Sequence, residues 1–237
     1  RGGSITASSK NAAQPVPAVA EFSDRSPEWG DVGQRAPGVS DSRTSPPPSL
    51  TLGSASPRRR ELLAQIGITP QQIIPADIDE SPLRAELPRH YVRRMAREKA
   101  LALSDTVPGA VLCADTTVVA GRRILGKPED TDEAREFLRL LSGRRHLVLT
   151  AVALSHAGRL RERLVETVIR FRPLQAAEIE AYLSCGEWQG KAGGYAVQGR
   201  AGGFVAWMRG SYSGVVGMPL AETATLLAGI GIKGASA

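Results

Sequence analysis

Cysteine, aromatic side chains and long apolar runs are scarce in this 237-residue chain, and each scarcity excludes a class of protein. Two cysteines, Cys113 and Cys185, cannot build a disulfide framework, so we expect a reducing, cytoplasmic setting. No apolar run reaches the roughly 20 residues of a transmembrane helix, so we expect no membrane partner. Aromatic residues make up only 5% and are not interleaved with the arginines. This argues against a platform that stacks the bases of a single-stranded nucleic acid.

Zinc sites and P-loops are also poorly supported. The three histidines are scattered, and neither cysteine is spaced for a shared metal site. Residues 121–128, GRRILGKP, nearly match a Walker A loop, but Pro128 stands where a serine or threonine would hold Mg²⁺. Lys127 in this segment remains a candidate phosphate ligand on a loop.

The excess positive charge belongs to the body of the chain. The net charge is +6, while residues 1–50 contain five basic and five acidic side chains. A basic body can bind nucleic acid or a small anion. Because aromatics are few, we favour the small anion.

Composition divides the chain near residue 49. Residues 1–48 are rich in Ser, Pro, Gly and Ala without periodicity, which predicts a disordered extension. A transit peptide is the alternative, although five acidic residues weaken it. Residues 49–237 alternate strand and helix patterns, with a long hairpin over residues 146–171. We therefore predict an α/β fold, in which a mixed twisted sheet has flanking helices.

The segment 54–63, SASPRRRELL, predicts an anion cradle. It joins a short apolar strand to a helix that begins at Pro57, where the missing amide costs nothing. Ser56 is the expected N-cap. Arg58 and Arg59 oppose the dipole of the first turn, an arrangement that favours an anion, such as a polyphosphate, at this helix start. A solvated basic helix start is the alternative.

A second candidate site follows the apolar strand Ala110–Ala114, which we expect to end at Asp115. Asp115 beside Thr116 suits a hard cation such as Mg²⁺, or a water that is to be deprotonated. The pair Asp79-Glu80 could help to hold a metal, or it could be a solvated loop. The glycine-rich stretch 186–199 lets the backbone approach a ligand closely. In this stretch, where we also expect a short strand at residues 196–197, Lys191 can meet phosphate and Gln198 can read a base edge.

These segments together resemble the Maf family of nucleoside triphosphate pyrophosphatases. The pieces occur in family order across residues 50–230, and they are SASPRR at 54–59, AREKA at 96–100, ADT at 114–116, GKP at 126–128, LSG at 141–143, KAGGY at 191–195, VQG at 197–199 and VGMP at 216–219. No single string is decisive, whereas the ordered set is highly specific.

The resemblance implies two lobes around a central cleft and metal-assisted hydrolysis, with Mg²⁺ or Mn²⁺, of a nucleoside triphosphate to monophosphate and pyrophosphate. It implies that Asp115 is the proton acceptor and a metal ligand. The other residues that it assigns to the substrate site are Ser54, Arg58, Arg59, Asp79, Lys99, Thr116, Lys127 and Gln198. Within this set, Arg58, Thr116 and Gln198 match the positions that separate the subfamilies, and as they stand they are similar to the dTTP/UTP branch.

The resemblance further implies a cytoplasmic enzyme, a homodimer, and links to septum formation and to the removal of modified nucleotides. Three alternatives stay open at this point. The first is the branch that acts on 7-methyl-GTP, which typically has Trp at position 58 and Glu at position 198. The second is a modified pyrimidine nucleotide as substrate. The third is a regulator that binds nucleotides or nucleic acid without catalysis.

Overall fold

The computed structural model describes residues 46–234. Most of the predicted 1–48 extension therefore lies outside the described residues. Within these residues, seven strands form one mixed sheet, and their bounds are β1 Leu50–Leu52, β2 Gln72–Ile73, β3 Ala110–Ala120, β4 Arg123–Leu125, β5 Arg145–His156, β6 Arg159–Phe171 and β7 Val205–Arg209. Six α-helices accompany it, namely α1 Pro57–Gln65, α2 Pro88–Ser104, α3 Thr131–Leu141, α4 Ala176–Ser184, α5 Tyr212–Val216 and α6 Leu220–Ala228.

The strand order is β2-β1-β3-β5-β6-β7, and β4 pairs with the far end of β3. Strands β1, β2 and β3 are parallel neighbours, whereas β3, β5, β6 and β7 are antiparallel. The prediction of an α/β fold with a mixed sheet and flanking helices is confirmed. No helix within residues 46–234 combines the length and apolarity needed to cross a membrane.

Helix α1 begins at Pro57, as the sequence predicted. Helix α2 begins at Pro88, and Asp130 caps α3 by accepting a hydrogen bond from the Glu133 amide at 2.8 Å. The expectation that the strand ends at Asp115 was wrong. Strand β3 continues to Ala120, because the β-branched residues that follow Asp115 keep the extended conformation and pair with β5. Residues 196–197 are not a strand, and α5 was not predicted.

Alternation along β3 separates two cores. Val111, Cys113 and Val119 face α2 on one side of the sheet. Their neighbours in between, including Leu112 and Val118, face the larger core built with the other helices. Successive side chains of a strand point to opposite faces, so Asp115 and Thr116 lie on different sides of the sheet.

A short β1 beside a long β3 leaves part of the sheet edge open. Strand β1 pairs only with residues 110–112 of β3, and the amide of Gly53 donates to the Leu112 carbonyl at 2.9 Å. The chain then departs toward α1. A Cβ on Gly53 would lie 2.2 Å from the Cys113 sulfur, so this departure needs glycine. Strand β4 rejoins only at Val118, which leaves the Asp115–Thr116 segment without a strand on that side.

A buried histidine near the start of β5 contacts the glycine-rich stretch through Tyr195. His146 is 3% exposed, and its Nε2 lies 2.8 Å from the hydroxyl of Tyr195. Its ring also packs edge-on against Phe171. Its Nδ1 has no hydrogen-bond partner among the described residues. Burial lowers the pKa of His146 from 6.5 to about 4, so the ring is neutral in the folded protein near pH 7.

This depressed pKa predicts a loss of stability in acid. The unfolded chain binds the proton near pH 6.5 and the folded chain only near pH 4, so stability falls as the pH drops through that window. The loss from this group is at most about 3 kcal/mol. We expect His146→Phe to be less stable than the parent at pH 7, because it leaves the Tyr195 hydroxyl without its partner, but to lose less stability between pH 7 and pH 4.5. Urea unfolding at both pH values checks this, and equal losses would contradict it.

A second prediction concerns the close approach of Gly193 to β3. Gly193 has a φ of +69°, and a Cβ there would lie 2.8–2.9 Å from the side chain of Val118. Gly121 is the matched control, because its φ is +63° and nothing lies within 4 Å of its Cβ position. Both alanine variants bear the same backbone strain, but only Gly193→Ala adds the clash. We expect Gly193→Ala to lower the free energy of unfolding by about 1–3 kcal/mol more than Gly121→Ala does. Equal values in urea unfolding would refute the clash.

Candidate active site

A cavity of about 370 Å³ lies at the open edge of β3. Its walls come from the start of α1, the segment after β2, the glycine-rich stretch 190–198 and residues 215–217 at the end of α5. Eight of the nine residues that the family resemblance assigned to the site line it, namely Ser54, Arg58, Arg59, Lys99, Asp115, Thr116, Lys127 and Gln198. Residues from distant parts of the chain therefore converge on one cleft.

The centre of the cleft is an ion pair between α2 and β3. Lys99 Nζ lies 2.7 Å from Asp115 Oδ1, and both residues are at least nine-tenths buried. Lys99 Nζ also lies 2.7 Å from Glu80 Oε1, so one ammonium joins two carboxylates. The remaining oxygen, Asp115 Oδ2, has only a long contact of 3.4 Å from the Thr117 hydroxyl. This oxygen is consequently the one available to a ligand.

Glu80, not Asp79, carries the second carboxylate into the cleft. Asp79 does not line the cavity, and its Oδ1 accepts a hydrogen bond from the Ser81 amide at 2.8 Å in a local turn. The Tyr91 hydroxyl donates to the Glu80 carbonyl and holds this segment against α2. Partial burial raises the pKa of Glu80, but the hydrogen bond from Lys99 and the charges of Lys99 and Lys127 outweigh it and hold the pKa below its usual range.

The N-terminal cap of α1 differs from the one that the sequence predicted. Ser56 occupies the N-cap position, but its side chain makes no capping hydrogen bond. Ser54 takes the polar role, because its hydroxyl accepts from the Ser56 amide at 3.2 Å and from Arg59 Nη1 at 3.0 Å. The first turn of α1 carries no acidic residue. Its amide groups and partial positive charge are therefore left for an anion.

The residues at the end of α5 hold both arginines by their backbone. Arg59 Nε donates to the Gly217 carbonyl at 2.9 Å, and Arg58 Nε donates to the Val216 carbonyl at 3.4 Å. Among the ion pairs of residues 46–234, none includes Arg58 or Arg59. Burial lowers the pKa of each arginine, although both guanidinium groups remain charged near neutral pH.

The cleft has an excess of positive charge. Five cationic side chains and two carboxylates line it, which gives a net charge of +3. Lys191 is the fifth cation, and both its partial burial and the nearby charge of Arg58 lower its pKa. Such a concentration of like charge in a concave site is unfavourable by itself and attracts a polyanion. A cavity of this size also suits a small molecule.

The carboxylates of the cleft fit one mode of metal binding. No cluster of three or more His, Cys, Asp or Glu side chains that could hold a metal occurs within residues 46–234. A closed protein cage for a metal is therefore absent from that part of the chain. Asp115 and Glu80 nevertheless converge on the same lysine. Mg²⁺ is commonly held by one or two carboxylates together with substrate phosphates and waters, and this donor set matches that mode.

The sequence signal did not distinguish Glu80 from Asp79. The two carboxylates are adjacent, and this segment has neither helix nor strand periodicity to show which of them turns inward. The carbonyls of Val216 and Gly217 were also not identified from the sequence, because backbone groups carry no residue signature. The VGMP string at residues 216–219 identified this segment, but it did not predict that the carbonyls of the segment accept hydrogen bonds from the two arginines.

Comparison with known proteins agrees with this architecture. The family model described as Maf-like protein matches residues 49–230. A dTTP/UTP pyrophosphatase of Cereibacter sphaeroides is 59% identical over 184 residues, which cover 78% of this chain and 96% of the relative. The proteins of the same name from Roseobacter denitrificans and Caulobacter vibrioides are 58% and 54% identical, with 98% and 97% of their lengths covered and 78% of this chain in each case.

The resemblance that the ordered motifs indicated is thus confirmed. The family match extends over almost all of the described residues, and the relatives align over nearly their whole lengths. The chain belongs to the Maf family.

Proposed function

We propose that this protein hydrolyses dTTP and UTP to the nucleoside monophosphate and pyrophosphate. The observation that carries the proposal is the cleft itself, in which five cationic side chains surround the carboxylates of Asp115 and Glu80. A triphosphate is the ligand with the charge to match this site. The names of the relatives, dTTP/UTP pyrophosphatase, support the choice of substrate.

Asp115 is the proposed proton acceptor. Lys99 occupies Oδ1, so Oδ2 is the oxygen left to accept a proton of the attacking water. Water adds to the α-phosphorus, its proton passes to Asp115, and the bond between the α-phosphorus and the bridging oxygen breaks. The leaving pyrophosphate takes the electron pair. Arg59, Lys99 and Lys127 stabilise the negative charge on the phosphates during this step.

A divalent cation, Mg²⁺ or Mn²⁺, fits the donor set of Asp115 and Glu80. When bound there, it would supply further neutralisation of the phosphate charge. Lys99 keeps the two carboxylates close together, because its ammonium lies within 2.7 Å of both. The pair is thereby held in one place before the substrate arrives.

Arg58, Thr116 and Gln198 are proposed to read the base. A glutamine amide presents one donor and one acceptor, which can pair with the carbonyl and the N–H of uracil or thymine. A 7-methylguanine base carries a positive charge, and Arg58 and Lys191, which both line the cleft, would repel it. The charge of the cleft therefore favours the pyrimidine substrates over 7-methyl-GTP. A modified pyrimidine nucleotide satisfies the same contacts.

The cytoplasmic location and the homodimer that the resemblance implies stay predictions. A regulator that only binds its ligand is the competing function, and product analysis separates it from the enzyme.

A panel of triphosphates tests the activity. With Mg²⁺ present, we expect pyrophosphate and the monophosphate from dTTP and UTP, with lower kcat/KM for CTP, GTP and 7-methyl-GTP. Asp115→Asn should reduce kcat by about 10²–10⁴-fold, because the proton acceptor is lost. Separate assays of pyrophosphate and orthophosphate give the measurement.

Asp105→Asn is the matched control, since Asp105 lies at the C-terminal end of α2 and outside the cleft. It should keep the parent's rate. Orthophosphate as the product, or a full rate in a folded Asp115→Asn variant, would refute the proposed chemistry.

The adjacent carboxylates offer a second test. Glu80→Gln removes a charge that contacts Lys99 in the cleft, whereas Asp79→Asn changes a local turn. We expect Glu80→Gln to lower kcat/KM for UTP by about 10–100-fold and Asp79→Asn to change it by less than about threefold. Thermal unfolding of both variants shows whether the fold is retained. The opposite order of effects would show that Asp79 serves the site.

A further inference from the structure

Thr150 places a buried hydroxyl directly behind the base-reading side of the cleft. It lies opposite Thr116 in the register of β3 and β5, and it is 1% exposed. Its Oγ1 donates to the Gly214 carbonyl at 2.7 Å and lies 3.2 Å from Thr116 Oγ1. Thr150 does not itself line the cavity. Its contacts reach the site through two other residues.

Gly214 connects this hydroxyl to the arginines. It belongs to α5, and the carbonyls that follow it, on Val216 and Gly217, accept the hydrogen bonds of Arg58 and Arg59. One short segment, residues 214–217, therefore fixes both guanidinium groups. The Thr150 hydroxyl connects this segment to Thr116, because it contacts both the Gly214 carbonyl and the Thr116 hydroxyl.

Packing alone does not require a hydroxyl at this position. The neighbours of Thr150 on the same face of β5 are Val148 and Val152, which are buried in the larger core. Valine has nearly the same shape as threonine and suits a buried strand. A hydroxyl is costly to bury unless it is hydrogen-bonded, so its contribution here comes through its two contacts.

We propose that Thr150 is a positioning residue for substrate selectivity. Its hydroxyl fixes the position of the Thr116 hydroxyl relative to segment 214–217, whose carbonyls hold Arg58 and Arg59. This inference rests on the proposed function, because it assigns Thr116 and Arg58 to base reading. Loss of the Thr150 hydroxyl frees segment 214–217 from Thr116. The base-reading groups then no longer share a fixed geometry.

Thr150→Val tests the proposal, with Thr150→Ser as the variant that keeps the hydroxyl. In Thr150→Val we expect the ratio of kcat/KM for UTP over CTP to fall about tenfold, the effect of one lost hydrogen bond. The dissociation constant for α,β-imido-UTP, which cannot be cleaved between the α- and β-phosphates, should rise by a similar factor. Thr150→Ser should keep both the selectivity ratio and the dissociation constant close to those of the parent. Isothermal titration calorimetry gives the binding constant without any turnover.

Thr223→Val is the matched control. Thr223 is fully buried on α6, and its hydroxyl has no hydrogen-bond partner among the described residues. The same chemical change there should leave the selectivity ratio and the dissociation constant unaltered.

An unchanged ratio and dissociation constant in folded Thr150→Val would overturn the inference, as would an equal loss for UTP and CTP that Thr150→Ser fails to restore. A parent chain that binds α,β-imido-UTP but releases no pyrophosphate would overturn the proposed activity instead, and the dissociation constants would then decide the role of Thr150. A parent chain that neither binds nor cleaves would overturn both.

Discussion

The early end of β1 beside the long β3 is the constraint on which the cleft depends. A full-length neighbour would pair with β3 along its whole edge and cover Asp115. Instead, pairing stops at Leu112, and β4 resumes it only at Val118. Gly53 permits this departure, because any side chain there would collide with Cys113. The same departure carries the chain into α1, so the helix start and the open strand edge are formed together.

The charges of the cleft are balanced only in part within the protein. Lys99, Asp115 and Glu80 form a compact group in which one cation serves two anions. Lys99 and Asp115 are buried, and a buried ion pair offsets its desolvation only while both partners are present. Arg58 and Arg59 are held by carbonyls, which orient the guanidinium groups without neutralising them. A bound polyanion supplies the missing negative charge, and this explains why the arginines tolerate a helix start with no acidic residue.

Sequence patterns predicted the parts of the fold that depend on local rules. Pro57 marked a helix start because proline is favoured in a first turn, and the strand pattern over residues 146–171 marked the long hairpin of β5 and β6. The rest depends on contacts between distant segments. Strand β3 passes through Asp115 because β5 pairs with it throughout, and Glu80 turns inward because α2 presents Lys99 to it. Neither partner can be read from the residues adjacent in sequence.

The alternation of β3 divides the proposed chemistry from the proposed recognition. Asp115 faces α2 and meets Lys99, whereas Thr116 faces the opposite side and meets Thr150. We therefore propose that the substrate lies across the open edge of β3, with the attacked phosphate toward Asp115 and the base toward Thr116. Lys99 and Asp115 pair between α2 and β3, whereas segment 214–217 holds both Arg58 and Arg59. Changes near α5 therefore act on both arginines, while the ion pair of Lys99 and Asp115 keeps its geometry. One strand edge that lacks a partner over a few residues is enough to allow this division.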